Sequence, residues 1–299
     1  GASVNIQTEN IQTTPSVGID VAAGSYGTNK ETVRFATGML ADHWAVQGRL
    51  SHMASDGYID RATVGLNSYF LQAGYYGDNT AVKFITFNGK EKTYHAWNYT
   101  SKLEQSLYGR TYNSCGEYYD EEGNRQYYKN QTDNYHQQNY QLLWSQRLNN
   151  ALDFNIGLHY TKGEGYYEQY KAGKKLYTFN IGLPGDYETK GDVINQKKMD
   201  NDFYGFIASL NYNNGSTLSA SLGGGWNNYN GDHFGKVLWA SNAYVPVDFT
   251  YYDNESRKSD GNLYGKVNYE LLRGLNVFAD LQYRHTGIRM NGPTDDYDS

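Results

Sequence analysis

Leu152, Phe154, Ile156, Leu158 and Tyr160 are large and apolar, while Asp153, Asn155, Gly157 and His159 between them are polar or glycine. A period of two describes a strand with one face in an apolar medium and the other in water. The same alternation recurs at Val33, Phe35, Thr37 and Met39, at Trp44, Val46, Gly48 and Leu50, at Tyr204, Phe206, Ala208 and Leu210, and at Leu218, Ala220 and Leu222. It returns at Leu263, Gly265, Val267, Tyr269 and Leu271 and at Leu275, Val277, Ala279 and Leu281. None of these faces carries a charge, whereas Arg34, Arg49, Asp153, Lys266, Glu270, Asp280 and Arg284 sit on the opposite parity. Strands of about ten residues, uncharged on one side, are how a transmembrane β-barrel is written.

The pattern predicts about eleven strands. Strands near 17–23, 32–40 and 44–53 are followed by a hairpin around Gly77-Asp78-Asn79, a strand near 135–148 and one starting at Leu152. Two more meet at Asn213-Asn214-Gly215, whose Asn-Gly step is a strong hairpin signal, and the last two close around Arg273-Gly274. Long Tyr/Asn/Gly-rich loops are expected over about 92–133, 163–201 and 227–257, alternating with the short turns. Short turns on one side and long loops on the other match the periplasmic and external ends of an outer-membrane barrel. An odd run of strands does not close as an even-stranded barrel, and open edges are not tolerated in lipid, so further strands are expected. Both ends read as cut: Gly1 to Thr8 lacks the basic start and apolar core of a signal peptide, and 295–299 reads as mid-loop.

Composition changes this picture little. Mean hydropathy of -0.78 and the lack of a long apolar run exclude membrane helices, but a barrel shows lipid only every second strand residue. Tyr is enriched, at 31 of 299 residues, and Tyr76, Tyr160, Tyr212, Tyr269 and Tyr283 fall at strand ends, where an aromatic girdle would sit. The lone Cys115 forms no intrachain disulfide, and a net charge of -6 argues against a nucleic-acid partner.

The seven histidines are scattered, and neither a Gly-x-Ser-x-Gly elbow nor a phosphate loop occurs, so an enzyme is not expected. Trp97, Tyr99, Arg110, Tyr112, Tyr118 and Tyr119 in the longest loop offer flat rings and a cation for ligand binding; Trp226, Tyr229, His233 and Trp239 form a similar later set. The plainer reading is that such aromatics pack a loop upon itself. Asp120, Glu121 and Glu122 supply hard oxygens that suit a structural Ca²⁺, against a plain solvated turn at Glu-Gly-Asn. No other metal site or cofactor is expected.

Residues 1–8, Gly-Ala-Ser-Val-Asn-Ile-Gln-Thr, are similar to the last plug strand of TonB-dependent outer-membrane receptors. Gly24-Ser25-Tyr26-Gly27-Thr28, then Arg49-Leu50-Ser51 and Asp56-Gly57-Tyr58-Ile59-Asp60-Arg61, resemble that family's first three barrel strands in order and spacing, and Gly89 to Trp97 resembles the end of its fifth. The resemblance implies an all-β fold: about eleven antiparallel strands of a 22-stranded plugged barrel, with residues 1–13 ending the plug and 14–299 forming the first half of the barrel. It implies outer-membrane lipid, TonB (through a segment upstream), a small-molecule or metal-chelate ligand and a surface lipoprotein as partners. It further implies active import, with a ferric siderophore as lead substrate and cobalamin, haem or a glycan as alternatives. A passive porin or adhesin-type barrel and a soluble β-sandwich are the rival readings.

Overall fold

The computed structural model describes residues 11–293. Residues 1–10, where the resemblance to a plug strand falls, lie outside them. Eleven strands form one antiparallel sheet: β1 (Pro15–Ala23), β2 (Asn29–Thr37), β3 (Trp44–Ser55), β4 (Val64–Tyr76), β5 (Thr80–Tyr94), β8 (Thr132–Asn149), β9 (Leu152–Lys175), β10 (Lys190–Asn213), β11 (Leu218–Ala240), β12 (Thr250–Leu272) and β13 (Leu275–Asn291). Each is bonded to its neighbour in sequence, the up-and-down order of a barrel wall. β6 (Glu117–Tyr119) and β7 (Arg125–Tyr127) make a separate hairpin, after the two-turn helix α1 (Lys102–Tyr108). Among the described residues β1 and β13 each pair on one side only, so the sheet is open.

Side chains directly opposite in a ladder share a face, so the registers fix two surfaces. One carries Ala73, Phe84, Leu142, Leu158, Phe206 and Trp226 as consecutive cross-strand partners. Apart from the half-buried Ala73, these apolar residues are exposed on the convex side, Phe84 at 42% and Leu158 at 44%. The other surface carries Gln47, Gln72 and Asn139, all buried in the concavity. A sheet with hydrocarbon outside and amides inside is the inverse of a soluble domain, and only lipid accounts for it. Trp44, Tyr75 and Trp144 fringe the outward band at the short-turn end, and Tyr69, Tyr140, Tyr160 and Tyr204 at the long-loop end. From Leu152 to Tyr160 the band is about 27 Å along the strand, close to the apolar height of an outer-membrane barrel.

The strand number and turns are as the alternation predicts, but two of the expected long loops are largely sheet. β9 runs on to Lys175 and β10 starts at Lys190, leaving 176–189 as connector instead of 163–201. Likewise β11 and β12 leave 241–249 instead of 227–257. Past the lipid band both faces meet water, so polar residues fill both parities while the ladder of hydrogen bonds continues. The stretch expected at 92–133 is a true connection over 95–131, although it holds α1 and the β6–β7 hairpin. β2 ends at Thr37 rather than Leu40, because Gly38, Ala41 and Asp42 take left-handed backbone in the turn to β3.

Candidate functional site at the long-loop end

β9 outruns β8 at the long-loop end, which would leave its edge bare. Segment 95–131 covers it: Gln131 Oε1 accepts from the Tyr170 backbone N–H at 2.8 Å, and β6 touches β9. The segment is in turn tied to the β3–β4 connector. The Arg61 guanidinium lies 3.5 Å from the Tyr127 ring centroid and donates to the Asn113 carbonyl. Asn113 Nδ2 donates to the carbonyls of Asp60 (3.0 Å) and His95 (2.8 Å), and its Oδ1 accepts from the Cys115 N–H (3.0 Å). One buried amide thus joins three pieces of chain. Connector 176–189 folds over the tops of β10, β11 and β12, where Leu176, Phe179, Ile181, Val193, Val237 and Tyr252 form an apolar core.

On the inward face just inside this rim, aromatic rings and a cation converge. His95 and Trp97 stack with centroids 3.8 Å apart, and the Tyr167 ring stands edge-on to Trp97 at 5.6 Å. Lys197, the cross-strand partner of Tyr167, places Nζ 6.0 Å from that ring. Next toward the membrane come Tyr135, Gly165, Met199 and His233 as successive partners. Gly165 is required there: a Cβ would fall 2.8 Å from the Tyr135 ring and 2.5 Å from the Asn134 carbonyl oxygen, so glycine lets the tyrosine lie against the wall. Such a surface offers π faces, an ammonium and imidazole nitrogens to a flat anionic ligand. Burial pushes the His95 imidazole down to about 4, so it is neutral near pH 7.

The residues singled out from sequence do not form one cluster. Trp97 belongs to the inward wall, as do Tyr229 and His233, which lie in β11 and not in a loop. Tyr118 and Trp239 pack on either side of Tyr170, at 4.6 and 6.3 Å, on the sheet's outward face. Trp226 also lies in β11, outward at the upper edge of the lipid band, where its indole N–H donates to Ser259 Oγ at 3.0 Å. Tyr112 is buried and donates to Glu117; Tyr119 donates to the same carboxylate at 3.2 Å, and Arg125 sits 3.4 Å from it. Tyr99 and Arg110 are exposed. Asp120 accepts from the Asn124 N–H (2.7 Å) and Gln126 Nε2 (2.9 Å), which shapes a turn, with Glu121 and Glu122 exposed beside it. Among the described residues no three His, Cys, Asp or Glu side chains converge as metal ligands. Tyr167 and Lys197 were missed from sequence because they fall in the stretch expected as a loop over 163–201, and Tyr135 opens the strand expected near 135–148, where nothing in the sequence marked which face it takes.

Solved structures of siderophore receptors share this fold. The ferric-catecholate import receptor Fiu of E. coli K12, in its open form, superposes with a TM-score of 0.67 at 12% identity, covering 96% of this chain and 47% of the receptor. The unliganded ferric citrate transporter FecA gives 0.67 at 11% identity, over 95% of this chain and 40% of FecA. BauA, the ferric preacinetobactin receptor of Acinetobacter baumannii, gives 0.63 at 8%, over 95% and 44%. No protein-family profile and no curated protein matches the sequence. The chain is a stretch of transmembrane β-barrel wall. In fold that wall is the one found in TonB-dependent outer-membrane receptors, and the chain spans less than half the length of those it matches.

Proposed function

We propose that this chain is the first half of the barrel of a TonB-dependent receptor, with residues 1–13 ending its plug, and that the whole protein actively imports a scarce nutrient, with a ferric siderophore as lead substrate. The observation that carries the reading is the superposition of nearly the whole chain on several ferric-siderophore receptors. The inward wall of Trp97, Tyr167, Tyr135, Lys197 and His233 supports it, because a ferric chelate is bulky, often flat and often anionic. The role is transport, with TonB as energy-coupling partner; cobalamin, haem and glycans remain the alternative cargoes.

Deleting the gene and supplying limiting ferric siderophore, haem, cobalamin or glycan as single sources, with and without TonB, tests this reading. A TonB-dependent growth defect on the siderophore alone is expected. A defect on another source reassigns the cargo, and diffusion-like uptake without TonB points to a passive porin. In the full-length receptor, Trp97→Ala with Tyr167→Ala is expected to weaken ligand binding by at least tenfold, each lost stacking contact costing about 1 kcal/mol. Unchanged binding, read by quenching of intrinsic fluorescence, would remove these rings from the site.

A further inference from the structure

The transport reading leaves unused the run Asp56-Gly57-Tyr58-Ile59-Asp60-Arg61, which leads from β3 toward β4 at the long-loop end. Its backbone is nonetheless closely determined. Gly57 takes left-handed backbone at φ 76°, and a Cβ there would fall 2.4 Å from the Ala62 carbonyl oxygen, so the turn closes on itself only with glycine. Arg61 is left-handed too, at φ 61°, a conformation that costs energy in a residue with a side chain and persists where the surroundings hold it. The first hairpin supplies part of that hold. The Asp56 N–H donates to the Tyr26 carbonyl at 2.8 Å, and the Tyr58 ring stands edge-on to Tyr26 at 5.6 Å.

From that base Arg61 reaches across to segment 95–131. Its guanidinium lies 3.5 Å from the Tyr127 ring centroid and 5.8 Å from that of Tyr94, and it donates to the Asn113 carbonyl. A planar guanidinium lies on a ring and donates in its own plane at the same time, which a compact ammonium does not. Arg61 thus holds the backbone of Asn113, and the Asp60 carbonyl holds its side chain, accepting from Nδ2 at 3.0 Å. The same Nδ2 donates to the His95 carbonyl at 2.8 Å, and the His95 ring carries Trp97 in the 3.8 Å stack. Trp97 is 48% exposed, so its ring owes its orientation to the His95 face and to the Tyr167 edge.

We infer that Arg61 is a positioning residue for the ligand wall: through Asn113 and His95 it holds the Trp97 ring in the orientation that a flat ligand meets, without touching the ligand. The inference rests on the reading of Trp97 as part of the binding wall. A ring that is already held is not ordered at the ligand's expense, whereas each side chain that must be immobilised on binding lowers affinity by about two- to tenfold.

The test reads the ring first and the ligand second. The full-length receptor is labelled with fluorotryptophan, and the fluorine NMR line of Trp97 is assigned by its loss in Trp97→Phe. In Arg61→Ala that line is expected to move most of the way from its wild-type position to that of free fluorotryptophan, while the lines of Trp44 and Trp144 at the short-turn end stay in place. Lys102→Ala, which removes an exposed cation from the same segment, should leave all three unchanged. An unmoved Trp97 line overturns the role, and so does a shift of Trp44 and Trp144 along with it, which would assign Arg61 to the fold of the wall. Should Arg61→Ala not assemble, judged by heat-modifiable gel mobility, Tyr127→Leu decides, because it withdraws the ring beneath the guanidinium: the same shift is expected, and an unmoved line overturns the role.

Binding of an iron(III) tris-catecholate, read by equilibrium dialysis with radioactive iron, then closes a double-mutant cycle. Arg61→Ala is expected to weaken binding about threefold or more in the wild type and by less than about twofold once Trp97→Ala is present, since the ring it positions is gone. Equal losses in the two backgrounds overturn the positioning role and leave the site standing. A wild type that does not bind the chelate, or a Trp97→Ala receptor that binds it as well, sinks the wall reading instead, and the fluorine line alone then decides whether Arg61 holds the ring.

Discussion

Leu158→Arg is expected to destabilise the assembled barrel by about 1–3 kcal/mol, less than a cation costs at the midplane because Tyr160, at the upper edge of the lipid-facing band, is two residues away. Leu158 sits outward between Leu142 and Phe206, its partners on the two flanking strands, and it is 44% exposed with nothing of the protein over it. In a water-soluble protein that exposure would make the same substitution nearly silent, within about 0.5 kcal/mol. Asn155→Arg is the control. Asn155 lies three residues earlier on the same strand but faces inward between Ser145 and Ser209. It is expected to change stability by less than about 1 kcal/mol, since a lumenal cation keeps its water. Urea titration of the full-length receptor in lipid bilayers reads both variants, and equal losses would sink the assignment of faces.

The contrast between Leu158 and Asn155 also shows why the membrane part was legible in the sequence. Lipid imposes a rule at every second residue, so the uncharged parity from Leu152 to Tyr160 reveals strand, face and medium together. Turn chemistry supplied the rest at the short end, where Asn213-Asn214-Gly215 closes β10 onto β11: Asn213 and Asn214 side chains accept from the turn's N–H groups, and Gly215 takes left-handed backbone. At the other end the rule lapses. Residues 163–175 carry tyrosines and lysines on both parities, with no large apolar side chain recurring at every second position, and nothing in that stretch tells a ladder from a loop. The hydrogen bonds that extend β9 and β10 are backbone to backbone, and their side chains leave them unannounced.

The candidate site was harder to read for the same reason. Trp226, Tyr229, His233 and Trp239 look like one aromatic cluster when they are taken as loop. Once β11 runs through them, parity and a bulge opposite Ile194 and Asn195 divide them: Tyr229 and His233 turn inward, and Trp226 and Trp239 turn outward. Spacing along a chain implies proximity only if the backbone conformation is known. The wall residues Tyr167 and Lys197 lie thirty residues apart and become neighbours solely through the register of β9 against β10. What sequence does supply is the type of chemistry, aromatic rings with a few cations and no cluster of metal ligands or nucleophiles.

Acidification is expected to loosen the rim. His95 is 3% exposed, stacked on Trp97, and bound through its backbone to Gln131 (2.9 Å) and Asn113 (2.8 Å), so it anchors the start of segment 95–131. Burial lowers its pKa from 6.5 to about 4. A group whose folded pKa is depressed contributes stability that is fully present above its unfolded value and is lost as pH falls toward the folded one. The window is therefore from about pH 6.5 down to about 4, and the loss is on the order of 3 kcal/mol, because the imidazolium that forms in the open segment cannot be buried again without cost. Asp133, at the start of β8, is raised by burial and acts in the opposite sense, gaining stability as pH falls. His95→Phe keeps a ring against Trp97 and removes the titration, so it isolates the histidine's part. Hydrogen exchange of segment 95–131 in the wild type, corrected for the intrinsic pH dependence of exchange, is expected to be about 100-fold less protected at pH 4.5 than at pH 7.5. In the variant that difference should largely vanish, and a wild type whose protection does not change with pH would place His95 outside the forces that hold the rim closed.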